Sequence, residues 1–137
     1  MKISMDQAQG AVPVTILSPI GELDASNYQE LIDVANQVYN EGARYVLLDM
    51  TETSFISSAG LVALHVIAAL FRGSTPVDPE TGWEALHAID RDRETGFQRY
   101  MKLLNPQLQV DRVLEITGLK QFFEVYTDRN QAVTSFA

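Results

Sequence analysis

Apolar residues along this chain switch between a spacing near two and a spacing of three to four, and each switch marks an element. Ile3 to Gln9 and Val12 to Leu17 alternate in part and are separated by Gly10, which predicts two opening strands. Ser18-Pro19-Ile20-Gly21 reads as a turn or bulge leading into Glu22-Leu23-Asp24. Tyr28, Leu31, Ile32, Ala35, Val38 and Tyr39 then recur at helical spacing, with Ser26 and Gln29 as a capping box and Gly42 as the stop. Tyr45 to Met50 is nearly all apolar, as expected of an inner strand covered on both faces. The next helix, about Ser58 to Arg72, is apolar nearly all round and should pack deep against the sheet.

Further along, Tyr100 to Leu104 reads as a strand, and Asn105-Pro106 starts a helix carrying Leu108, Val110, Val113, Leu114 and Ile116 to a stop at Gly118. Phe122 to Tyr126 is a last strand, and Asp128 caps a final helix with Ala132, Val133 and Phe136. Strands alternating with helices predict an α/β fold: a mixed, mostly parallel sheet of about five strands packed by helices, with the opening pair as an antiparallel edge.

Residues 73–96 interrupt this pattern as an insert before the fourth strand. Gly73 to Pro79 is loop-like, and the charge that follows is acidic. Asp78, Glu80, Glu84, Asp90, Asp92 and Glu94 stand against Arg91 and Arg93, a net of -4 and half of the chain's -8. Trp83, Leu86 and Ile89 fall three apart, which predicts a short helix from about Pro79 that lies on the domain or docks a partner. A solvated loop is the simpler alternative, because long surface insertions cost little.

Composition narrows the class. With 137 residues, 46% hydrophobic and 20% charged, the chain is expected to be one globular domain over 1–137. A net charge of -8 argues against nucleic acid and anionic membranes, leaving proteins or small molecules as partners. The absence of cysteine excludes disulfides, thiolate metal sites and thiol nucleophiles. The densest apolar stretch, Ala59 to Phe71, is too short for a membrane span, and the first residues lack a signal-peptide core. A cytoplasmic location is therefore expected.

The stretch from Tyr45 to Leu61 carries the most information about function. An apolar strand ends in Asp49, a polar loop follows, and Ser57 and Ser58 stand where the apolar helix begins. Either serine can cap that helix through its oxygen, and this is the plain alternative. A serine that faces solvent there can also take a phosphoryl group beside the helix's positive end and leave the fold intact. Hydrolysis by these serines would need a histidine base, but His65 lies two turns along the same helix, His87 lies in the insert, and no Gly-x-Ser-x-Gly elbow occurs. No phosphate-cradling glycine loop is present, and two lone histidines with scattered carboxylates predict no metal and no cofactor. Asp24 and Asp49 fall near strand ends, where open α/β sheets place their crevice. A receiver-type phosphoacceptor would want paired acids and a lysine at a later strand end, and Tyr126-Thr127-Asp128 offers none. Both acids also fit turns in which they bond nearby backbone donors.

Several segments in order carry a resemblance. Gly21-Glu22-Leu23-Asp24, Leu48-Asp49, Phe55-Ile56-Ser57-Ser58-Ala59-Gly60-Leu61, Asn105-Pro106 and Val113-Leu114-Glu115-Ile116-Thr117-Gly118-Leu119 with Phe122-Phe123 resemble the STAS domain family. The resemblance covers nearly the whole chain except roughly 73–96. It points to the anti-sigma-factor antagonists of bacterial partner-switching systems, which are regulators and not enzymes. The expected lone domain argues against an anion-transporter tail, and the expected lack of an added N-terminal domain argues against a stressosome scaffold subunit.

The resemblance implies a phosphorylated serine at Ser58, modified by a cognate anti-sigma serine kinase and reset by a serine phosphatase. The position before it, often aspartate in the family, is Ser57 here and a second candidate acceptor. Asp24 matches an acidic residue near the partner-facing surface, and Asp24, Ser57, Ser58, Ala59 and Gly60 are the implied partner-binding set. A homodimer is a further expectation. The alternatives are a partner-switching module with a non-sigma output, a nucleotide- or small-ligand-binding STAS domain, and a purely structural subunit.

Overall fold

In the computed structural model, which describes residues 1–73 and 98–137, the sheet is built outward from the long strand β2 (Pro13–Leu23). Strand β1 (Lys2–Gln9) pairs antiparallel with it over its whole length, from Lys2 opposite Ile20 to Gln9 opposite Pro13. On the other side lies β3 (Val46–Asp49), parallel, with Thr15 opposite Val46. Strand β4 (Thr53–Ile56) follows β3 in the chain. Beyond β3 come β5 (Met101–Leu104) and β6 (Val125–Tyr126), both parallel, giving the order β1-β2-β3-β5-β6. The mixed, mostly parallel sheet with an antiparallel edge is the one the periodicity predicts. The helix expected from Pro79, and Trp83 with it, lie outside the described residues.

Strand β4 is the element that the apolar pattern does not announce. It lies parallel to the far end of β2, with Leu23 opposite Ile56, so β2 changes neighbour from β3 to β4 along its length. Ser18 to Gly21 is therefore no turn. The strand runs through it, and the register shift falls between Gly21 and Glu22, with Gly21 at a φ of 100° that a side chain would strain. Thr53 fastens the new pair by donating its hydroxyl to the Pro19 carbonyl at 2.8 Å.

Four helices among the described residues cover the two faces: α1 (Tyr28–Asn40), α2 (Ser58–Phe71), α3 (Leu108–Ile116) and α4 (Arg129–Ser135). Successive strand side chains point to opposite faces, and the core divides accordingly. Leu17, Val46 and Leu48 join the larger cluster with Leu31 and Ala35 of α1, Leu64 and Ile67 of α2, and Val110 and Leu114 of α3. Ile16 and Leu47 join the smaller one with Ala132, Val133 and Phe136 around α4. The continuous apolar run of β3 is thus covered on both sides, as its composition requires. Helix α2 is buried on all sides, and His65 lies wholly in the core, its ring 5.8 Å from that of Phe122. Lys102 of β5, also buried, ties the second layer together: its ammonium meets the Glu124 carboxylate at 2.7 Å and donates to the Ser135 carbonyl at 3.2 Å.

Several predicted boundaries move. Asn105 does not cap α3, which starts at Leu108 after Gln107. Asn105 instead adopts a φ of 53°, a conformation asparagine tolerates, and its amide donates to the Thr51 hydroxyl. Of the apolar residues assigned to α3, Val110 and Leu114 are buried while Leu108 and Ile116 are exposed. Phe122 and Phe123 are buried after a short 3-10 turn (Leu119–Gln121), and only Val125–Tyr126 pairs as a strand. Asp128 does cap α4, its carboxylate accepting from the Gln131 amide at 3.1 Å.

Candidate functional site

The ends of β2 and β4 deliver their next residues to one place. The Ser57 amide donates to the Leu23 carbonyl at 2.9 Å, so the start of α2 is tied directly to the residue before Asp24. Ser57 is extended (φ -94°, ψ 178°) and is the N-cap of α2, with its hydroxyl accepting from the Gly60 amide at 3.4 Å. Ser58 is the first helical residue and is exposed. The two serines have divided the tasks that the sequence left open between them: Ser57 caps, and the Ser58 hydroxyl faces solvent.

A stability difference follows. Ser57→Ala should lose about 0.5–1 kcal/mol, the lower part of the usual range because the capping bond is long. Ser58→Ala should melt with the unmodified protein. Thermal denaturation followed by circular dichroism distinguishes the two; an equal loss in both would mean that capping is shared.

Gly60 and Ala59 sit deeper than Ser58. Gly60 is buried, and a Cβ there would stand 2.6 Å from Ile56 Cγ1 and 2.9 Å from the Leu23 carbonyl oxygen. Its contribution is close approach: it lets the first turn of α2 press against the ends of β2 and β4. Ala59 is half-buried beside it.

Asp24 is half-exposed and held in a tight turn. Its carboxylate accepts from the Ser26 hydroxyl at 2.6 Å and the Ser26 amide at 2.9 Å, and these bonds, the hydroxyl first, hold its pKa below the ordinary carboxylate value. The predicted capping box therefore does not form: Ser26 is engaged by Asp24, and Asn27 precedes α1 with its side chain turned back to the Glu22 carbonyl at 2.7 Å. Asp49 is held in the same way by the amide and hydroxyl of Thr51. Each acid thus fills its own turn, and no group of three or more His, Asp or Glu among the described residues is placed to hold a metal ion.

One exposed apolar residue near Ser58 was not singled out from the sequence. Phe55 of β4 is 47% exposed. Its signal was present: neighbouring strand residues face opposite ways, so Phe55 and Ile56 cannot both enter the core. Helix α3 flanks this strand, with the Gln109 amide donating to the Ser54 carbonyl at 2.8 Å and Leu108 also exposed.

The site therefore consists of an exposed hydroxyl on the first turn of a buried helix, a fixed carboxylate at the adjoining strand end, and exposed apolar side chains nearby. Such a surface presents itself to another protein more readily than it encloses a small substrate. The family model for the STAS domain matches residues 2–73, and the chain belongs to that family.

Solved structures share the fold over nearly the full length. A protein assigned as an anti-sigma factor antagonist from Thermotoga maritima is 21% identical, covering 95% of this chain and 90% of its own, with a TM-score of 0.69. An anti-sigma factor antagonist from Mycobacterium paratuberculosis is 18% identical over 98% and 93% of the two chains, with a TM-score of 0.65. The anti-sigma factor antagonist SpoIIAA in its unphosphorylated form is 16% identical over 96% and 93%, with a TM-score of 0.59. The phosphorylated form of SpoIIAA from Bacillus gives 16% over 96% of both chains and 0.53. At these identities the likeness establishes the fold. No curated protein matches the chain. No helix among the described residues is long and apolar enough to cross a membrane.

Proposed function

We propose that this chain is a non-enzymatic, phospho-switchable binding protein of the anti-sigma factor antagonist type, working in a bacterial cytoplasm. The observation that carries this reading is the exposure of Ser58 on the first turn of a helix that Ser57 caps and the core holds in place. A phosphoryl group on Ser58 meets the positive end of α2, whose first turn contains no acid. The fold has no reason to change, but the surface does. Unmodified, the Ser58 face with Asp24 and Phe55 captures a serine kinase of the anti-sigma type; modified, it releases it, and a serine phosphatase restores the first state.

Incubation with such a kinase and ATP, followed by mass spectrometry, tests the assignment. Phosphate on Ser58 is expected. Phosphate confined to Ser57 or Ser54 would end it.

Asp24 belongs to recognition in this reading. Asp24→Asn should keep the melting temperature within a few degrees at neutral pH while weakening kinase binding or phosphorylation. The sign with pH is set by the lowered pKa: whatever the charged turn adds to stability is present above the ordinary carboxylate value and is lost only as pH falls through the depressed one. A large loss of stability in Asp24→Asn, with binding intact, would return Asp24 to a purely structural role.

A nucleotide- or small-ligand-binding reading receives less support. Beyond the ends of β5 and β6 there is an open cleft of about 490 Å³ lined by Pro106, Leu108, Asp111, Lys120, Val125 and Thr127. Its lysine is paired with Asp111 at 3.0 Å, so it presents little net charge to a phosphate.

A further inference from the structure

Strand β1 forms an edge of the sheet, with no strand on its outer side among the described residues. It is eight residues long, paired with β2 from end to end without a register break, and contains no proline. Six of its residues are exposed, including the apolar Met5 at 56%. Natural edges are commonly blunted by proline, bulges or inward charges, because a row of unpaired N–H and C=O groups recruits another strand. Strand β1 has neither proline nor a bulge, and the charge it carries is confined to Lys2 and Asp6.

Its own charges are arranged to accept a copy of itself. Lys2 and Asp6 are four residues apart and therefore on one face of the strand, where Asp6 also meets Arg129 of α4. An antiparallel pairing about a two-fold axis at Ser4 sets Lys2 of each copy opposite Asp6 of the other, twice over. The same register sets Ile3 opposite Met5 on the other face. Neighbouring registers lack this match. An axis at Asp6 opposes two carboxylates, an axis at Lys2 opposes two ammonium groups, and an axis at Met5 leaves Lys2 facing Ala8.

We infer that β1 is a homotypic docking strand through which two copies of this chain join edge to edge, antiparallel about Ser4, into one continuous sheet. The two-fold axis reverses strand direction, so the two Ser58 ends point opposite ways and both stay open. The contact is independent of any modification at Ser58.

Because the chain has no cysteine, the register can be tested by single introductions. Sedimentation from about 10 µM to about 1 mM, where a small contact of this kind is populated, should show a concentration-dependent dimer. Under mild oxidation, Ser4→Cys should give a disulfide-linked dimer, whereas Gln9→Cys, beyond the overlap in this register, should not. Ser4→Lys, which places two lysines face to face at an exposed position, should raise the dimer Kd by about fivefold or more with an unchanged circular dichroism spectrum. A monomer throughout the range, equal cross-linking by both cysteine variants, or a dimer indifferent to Ser4→Lys would each overturn the inference.

Discussion

Phosphorylating Ser58 is expected to weaken binding of the cognate kinase by at least ~100-fold, because a charge of about -1.5 to -2 left desolvated and unpaired in an interface costs several kcal/mol and each 1.4 kcal/mol is tenfold in affinity. The melting temperature should barely move. The added phosphate projects from an exposed position, and the cap of α2 is supplied by Ser57 and remains intact. The helix end is electrostatically suited to an anion, so the modified form should even gain slightly at low salt. Ser58→Ala should bind constitutively, and Ser58→Asp should be a partial off-state, since a carboxylate carries about half the charge and lacks the third oxygen. Calorimetric titration of the kinase with modified and unmodified protein reads the difference. A modified protein that binds as tightly as the unmodified one would place the kinase contact elsewhere. Phosphate on Ser57 would behave differently, because the modified oxygen is the one that caps α2: the Gly60 amide would have to turn to a phosphate oxygen, so the cap geometry changes along with the surface.

Gly60→Val should destabilise the protein by about 2–4 kcal/mol, and Gly60→Ala by less, since alanine recovers up to ~1 kcal/mol of helix propensity. The cause is the backbone. A Cβ on residue 60 would stand 2.9 Å from the Leu23 carbonyl oxygen, which is fixed by its bond from the Ser57 amide, whereas the Ile56 side chain at 2.6 Å has some room to turn. Relief would require α2 to lift away from the ends of β2 and β4, carrying Ser58 away from Asp24. The same substitution should therefore reduce kinase binding beyond what the unfolded fraction explains. Denaturant titration with a binding measurement on the folded population tests both parts. A Gly60→Val variant as stable as the original would mean that the first turn of α2 does not need this contact.

Much of the site was legible from local chemistry. A serine pair before an apolar run, a glycine two residues on, and acids at strand ends are each interpretable from their neighbours. What could not be read was which serine caps, because both have the right chemistry and the choice depends on where the backbone enters the helix. That entry is set by the bond from the Ser57 amide to Leu23, 34 positions earlier in the chain. The Ser26 capping box failed for a related reason. Spacing alone cannot reveal that Asp24 would engage the same hydroxyl first.

The elements whose pattern is internal, namely the amphipathic α1, the wholly apolar α2 and β3, and the Asp128 cap of α4, were determined by the sequence itself, because period and capping act within a few residues. Strand β4 was decided by tertiary structure. Thr53 to Ile56 is too short and too mixed to declare a period, and it is a strand only because the end of β2, beyond the reach of β3, still needs hydrogen-bond partners. That pairing brings Asp24 and Ser58 to one surface, and it depends on two segments separated by some thirty residues meeting in space, which no local period encodes.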